Sequence, residues 1–272
     1  MKRLALLTLV LAGCATAKPA AAPPPLAVPV DSHKAEVTTQ TLTEATVTVT
    51  ATATAPEPGI TATAAHWELV FDGNVIAHGD QALNVPIATD APTSLSLVGQ
   101  GAVAHDAQGV AALSAHTGGY SIALRGTIDF QGPNGSTGQS PFAKATYLRE
   151  PRMPKVVMVE VGASHYDDGH VNLTFNIGLD NPNPFPVDVA GFTYAIDVND
   201  QPVAKASTGG AVEVPPSAKK VLEETVELTP DKFKGLEDIY KQNAMKYRMR
   251  GVLDTGLAKF DVDIGAPIHF TR

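Results

Sequence analysis

Four stretches of this chain hold residue types that could do chemistry. Asp254-Thr255-Gly256 spells the carboxylate triplet of an aspartic protease. That reaction needs two carboxylates sharing one proton, hence a second triplet, and the counterpart in a repeat described below reads Asp129-Phe130-Gln131. With strands expected to end near Leu253 and to restart near Leu257, Gly256 reads instead as a hairpin turn. His165-Tyr166-Asp167-Asp168-Gly169-His170 gathers two imidazoles and two carboxylates, a donor set for a divalent ion that would still need ligands from elsewhere in the fold. Asp-Gly between a strand ending near Ala163 and one beginning at Val171 is also the ordinary hairpin signal, so a solvated loop tip is expected. Gly132-Pro133-Asn134-Gly135-Ser136-Thr137-Gly138 lacks the lysine and the strand-to-helix setting of a phosphate loop and reads as a long mobile hairpin. Lys232, Lys234, Lys241, Lys246, Arg248 and Arg250 alternate with Asp231, Glu237 and Asp238, the pattern of a solvated face. His33, His66, His78, His105, His116 and His269 show no ligand spacing, and solvated or packed positions are expected for them. The expectation is therefore no enzyme: no catalytic residue, no metal and no cofactor.

One residue does point to chemistry, and it is the single cysteine. Residues 1–14 run from Lys2 and Arg3 through the apolar Leu4 to Leu11 and end in Leu11-Ala12-Gly13-Cys14. The apolar run is too short to span a bilayer, and small residues ahead of the cysteine suit a peptidase. The segment resembles a bacterial lipoprotein signal peptide over residues 1–13, and that resemblance implies that Cys14 is lipidated and becomes the first residue. Acyl chains on Cys14 would then anchor an acidic body that anionic lipid does not attract. Ala15 after the cysteine implies the outer membrane, facing the periplasm. Residues 14–34, rich in Ala and Pro, read as an extended tether.

The elements that must carry the rest follow from composition and pattern. The 272 residues are 18% charged and 44% hydrophobic with 6% aromatics, 23 Gly and 21 Pro, which favours short strands and turns in a folded chain. The net charge of −8, with no basic block, argues against nucleic acid. Val47 to Ala55 and Val171 to Leu179 alternate as half-buried strands, and each is followed by a spaced proline pair, Pro56 and Pro58 or Pro182 and Pro184, 126 residues apart. Beyond them Ile60, Ala62, Ala65, Trp67, Leu69 and Phe71 match Val187, Val189, Phe192, Tyr194, Ile196 and Val198 at a spacing of 127. In both copies the apolar parity slips by one residue, next to Ala64 and Gly191, as a β-bulge would cause. Leu124-Arg125-Gly126 then matches Met249-Arg250-Gly251. The chain is a tandem duplication, expected to fold as two antiparallel β-sandwiches over 35–150 and 154–272, with Trp67 and Tyr194 as equivalent core aromatics. Each copy carries one short helix: a weakly patterned one over Asp106 to Ala115, and one starting at Thr229-Pro230 that places Phe233, Leu236, Ile239 and Tyr240 on one face.

The stretch from Leu173 to Ala206 resembles the group 2 late-embryogenesis-abundant proteins and the water-stress and hypersensitive-response domain. The resemblance rests on Asn181-Pro182-Asn183-Pro184 between an alternating strand and the strand bearing Val189, Phe192, Tyr194, Ile196 and Val198. Asparagines there can close Asx-turns while the prolines remove ladder donors. The resemblance implies a fibronectin-like β-sandwich with one helix, no cofactor, and a role in desiccation or other envelope stress, protecting client proteins or membranes. The first copy departs from the motif, reading Ala55-Pro56-Glu57-Pro58. The rival expectation is a scaffold that presents two sandwiches to an envelope protein partner.

Overall fold

A computed structural model of the chain describes residues 25–165, 170–229, 231 and 245–268. The first seven strands are β1 (Val30–Gln40), β2 (Glu44–Ala53), β3 (Thr61–Phe71), β4 (Asn74–Pro86), β5 (Thr93–Ala102), β6 (Tyr120–Gln131) and β7 (Thr137–Leu148). They form two antiparallel sheets in the orders β1-β2-β5 and β4-β3-β6-β7. Strict alternation makes β2 a wall of the core: Ala45, Val47, Val49, Ala51 and Ala53 are buried, while the intervening threonines stay part-exposed. Ala65, Leu69, Ile122, Leu124 and Ile128 from the facing sheet complete that core.

The second half repeats this plan. Its strands are β8 (Lys155–His165), β9 (Val171–Asn181), β10 (Val187–Val189), β11 (Gly191–Val198), β12 (Gln201–Ser207), β13 (Val212–Val214), β14 (Ala218–Leu228), β15 (Lys246–Asp254) and β16 (Lys259–Pro267). Sheets β8-β9-β14 and β12-β11-β15-β16 have the strand orders of the first half, and Phe175, Ile177, Phe192, Ile196 and Met249 fill the space between them. The chain is thus an all-β protein of three-on-four sandwiches. Among the described residues no sheet takes strands from both halves.

The parity slip takes two forms. In the first half β3 stays continuous, with a bulge between Ala62 and Ala64 against both neighbours. In the second, the slip interrupts the strand at Ala190: β10 pairs with β13, while β11 pairs with β12 and β15.

Helix α1 (Ala107–Ser114) sits between β5 and β6, its first turn capped by Asp106, whose Oδ1 accepts from the Gly109 N–H at 2.7 Å. Of the second expected helix, residues 230 and 232–244 lie outside the described residues, as do Cys14 and 166–169 of the histidine-aspartate loop. Among the described residues no helix is long and apolar enough to cross a membrane.

Two expectations are corrected. The tether does not extend to residue 34, because Leu26 and Val28 are buried in the first core and β1 already runs from Val30. The prolines at 25 and 29 alternate with these apolar residues, so the segment packs against β7: Leu26 N–H donates to the Thr137 carbonyl at 3.0 Å. The glycine-rich stretch does join a hairpin, β6 to β7, but its loop is short and tight: a 3-10 turn at Pro133–Gly135, closed by Gly132 N–H on the Ser136 carbonyl. Gly138 is required there, since a β-carbon on it would lie 1.8 Å from the Leu26 carbonyl oxygen.

Candidate functional site: the asparagine turn between the sandwiches

The family-like motif sits where β9 leaves its sheet. Asn181 and Asn183 are each only 1% exposed, so every polar atom they carry needs a partner. The Asn181 Nδ2 amide reaches three carbonyls, those of Phe185 at 2.8 Å and of Val214 and Pro215 at 3.1 Å. Its Oδ1 accepts from Asn183 N–H at 2.9 Å, an Asx-turn, and from Asn183 Nδ2 at 2.8 Å. Pro182 and Pro184 alternate with the buried asparagines on the exposed side of the turn and bring no backbone donor to it. Asn181 therefore ties the start of the turn to its end and to the strand opposite.

Asn183 reaches further. Its Nδ2 donates to the Arg152 carbonyl and its Oδ1 accepts from Arg152 N–H, both at 2.7 Å. Arg152 belongs to the connector between β7 and β8, which the first sandwich also grips. Glu150 Oε1 accepts from Gly118 and Gly119 N–H at 2.8 and 2.7 Å, Ser114 Oγ donates to the Pro151 carbonyl, and Gln40 Nε2 donates to that of Arg149. The two glycine amides hold the Glu150 carboxyl below its usual range, the Gly119 bond being the larger cause. Phe185 and Val187 pack with Leu42, Ala104, Val110 and Leu113 of the first sandwich. Leu42, the helix and the ends of β3 and β5 all lie at one pole of the first sandwich; the chain enters at the other, beside Ile60 and the β6–β7 turn. The sandwiches therefore stack in the same sense, the helix pole of one against the turn pole of the next.

The remaining expected sites resolve as follows. Asp254-Thr255-Gly256 is a hairpin turn: Asp254 Oδ1 accepts from Gly256 N–H at 2.9 Å, Gly256 has φ +76°, and Thr255 N–H bonds the Ala258 carbonyl. His170 pairs with Glu227 across the sheet at 3.0 Å. Among the described residues there is no group of three or more His, Cys, Asp or Glu placed to hold a metal ion. Tyr194 is a buried core aromatic whose hydroxyl donates to Glu224 Oε2 at 3.0 Å, and burial followed by that carboxylate pushes its pKa up to about 12. Trp67 is only half-buried, its ring lying over Gly79 and Gly99 at the sandwich edge.

His66, expected to be merely solvated or packed, is instead bracketed by carboxylates on the outer face of the first sandwich. Nδ1 lies 2.5 Å from Asp80 on β4 and Nε2 3.0 Å from Asp129 on β6, whose other oxygen accepts from Gln139 on β7. An imidazolium can donate to both, so its pKa is raised, first by Asp80 and then by Asp129. No spacing in the sequence announces this group, because register alone assembles its members from four strands. The second sandwich uses Arg248 with Asp263 and Arg250 with Asp197 on the same face.

Comparison with known proteins places part of this geometry. No protein of curated function matches the chain. Among solved structures, a protein from Archaeoglobus fulgidus is 16% identical over 42% of this chain and 98% of its own length, with a TM-score of 0.27. A bacterial ice-binding adhesin is 14% identical over 91% of this chain and 65% of that one, with a TM-score of 0.29. Red sea bream transglutaminase is 12% identical over 92% and 32%, with a TM-score of 0.25. None of these likenesses is close enough to bear on function. The family model described as late embryogenesis abundant protein matches residues 176–267, from within β9 through β16, so over that span, asparagine turn included, the chain is similar to that family.

Proposed function

We propose that this chain is a non-enzymatic, lipid-anchored envelope protein that protects other proteins or membranes during desiccation or related stress. The family match over residues 176–267 carries the reading, since a stress-related role goes with that family. The chemistry of the motif supports it: Asn181 and Asn183 direct their amides at backbone groups of this chain, so the motif shapes a fold and offers no reactive group to a substrate. Leu11-Ala12-Gly13-Cys14 supports an acyl anchor, and the net charge of −8 keeps the body hydrated and soluble.

The test is recovery of a drying-sensitive enzyme after desiccation, with the chain from Ala15 onward, which keeps Leu26 and Val28, set against albumin at equal mass. Recovery well above albumin is expected; recovery equal to albumin removes the protective reading. Labelled fatty acid should enter the full chain and be lost in Cys14→Ser.

A second reading, a scaffold for an envelope partner, is favoured by one observation. A groove of about 340 Å3 runs between β1 and β7 beside Phe185, and Tyr147 on its rim is 76% exposed. Crosslinking from position 147 that captured one stoichiometric protein, with no enzyme protection, would put this reading first.

A further inference from the structure

We propose that the turn from Asn181 to Val187 is a docking end for the helix-bearing pole of a sandwich of the same kind, that the first sandwich is its built-in occupant, and that the two therefore unfold as one unit. This stands apart from the protective reading and does not depend on it.

Three observations carry it. Asn183 is a side chain of the second sandwich whose amide is matched at both ends to the backbone of Arg152, a residue outside that sandwich. A turn built only for its own closure needs Asn181 alone. Phe185 and Val187 follow directly and are 6% and 3% exposed because α1 and Leu42 of the first sandwich cover them. Burying Phe185 and Val187 against Leu42, Val110 and Leu113 couples the two cores through the hydrophobic term, which neither sandwich keeps if the other unfolds. The connector between them has no slack: Arg149, Glu150 and Pro151 are bonded to the first sandwich and Arg152 to the second.

The first sandwich supplies the control. At the equivalent place it has Ala55-Pro56-Glu57-Pro58, with residues 56–59 exposed, so its turn offers neither the double amide nor the aromatic. Its turn is closed by backbone alone, Ala55 N–H on the Ala88 carbonyl and Ile87 N–H on that of Ile60. Of the two turns, only the one that meets a neighbour carries the asparagines.

The chain has one tryptophan, Trp67, so fluorescence reports the first sandwich while far-ultraviolet dichroism reports both. In urea the full chain is expected to give coincident transitions by the two probes. Phe185→Ala and Asn183→Ala, both outside the first sandwich, should move the Trp67 midpoint to lower urea. A Trp67 midpoint unchanged in these variants, or two separate transitions in the unaltered chain, would overturn the proposal. Should Asn183→Ala unfold the second sandwich outright, Trp67 must then follow the lower midpoint of an unassisted first sandwich. Glu150→Ala, at a partly exposed position of the connector outside both cores, provides an arm free of that difficulty. It should separate the two midpoints, and coincident midpoints at the original urea concentration would count against the coupling.

Discussion

The turn after β2 and the turn after β9 occupy equivalent places in the two sandwiches, yet one is closed by backbone bonds while the other adds two buried asparagine side chains to the backbone bond from Ser217 N–H to the Asn183 carbonyl. In the first, β3 and β4 remain paired to the end of the sheet, so the Ala55 N–H reaches the Ala88 carbonyl and the loop itself can be Ala-Pro-Glu-Pro in water. In the second, the pairing strand is interrupted between β12 and β13, and the Asn181 amide takes over the carbonyls of Val214 and Pro215. The asparagines are thus required where the backbone ladder has been broken and water shut out. The difference teaches that the family motif answers a local shortage of hydrogen bonds as much as any ligand.

That comparison can be broken experimentally, and the largest effect should come from Asn181→Ala. It strips three carbonyls of a donor and leaves two Asn183 donors without Oδ1, at a cost on the order of 3–4 kcal/mol. Urea denaturation followed by dichroism is the measurement, and Ala55→Ser in the first sandwich should cost far less. Phe185→Ala comes next, about 3 kcal/mol for an emptied aromatic site, read the same way. Gly126→Ala and Gly251→Ala sharpen what the copies share. Their β-carbons would fall 1.9 Å from the His66 carbonyl oxygen and 2.5 Å from that of Thr193, so both should destabilise by roughly 2–3 kcal/mol, Gly126→Ala more.

The smallest effect distinguishes the copies by pH. His66 has a folded pKa raised above its ordinary 6.5, so its contribution is complete below 6.5 and is lost as the pH climbs through the raised value. The Trp67 midpoint should fall modestly as the pH rises above 6.5, and that fall should be lost in His66→Gln. The equivalent residue in the second sandwich is Thr193, so no matching loss is expected from that position.

Much of this architecture is legible in the residues themselves. The Arg-Gly pair repeated at 125 and 250 marks β6 and β15 because in each a glycine must pass close to the strand that bears Trp67 or Tyr194. The parity slip beside Ala64 and Gly191 shows a bulge, but whether the strand bends or breaks there depends on whether β4 or its counterpart stays in register across it. Leu26 and Val28 hide in proline-rich company whose composition suits a tether equally well. The His66 group and the Asn183–Arg152 pair are invisible to spacing, since their members meet only after the sheets and the connector are in place.

Leu26 and Val28 also decide how the molecule would bear load. The segment runs parallel to β7, Leu26 bonded at Thr137 and Val28 accepting from Ser140 Oγ, and it enters at the pole opposite the second sandwich. A pull on the preceding chain acts along the strand axes, so these bonds and the β1–β2 ladder are stretched together in shear and are not unzipped one at a time. Tension delivered through an anchor would therefore meet the first sandwich in its mechanically strongest direction.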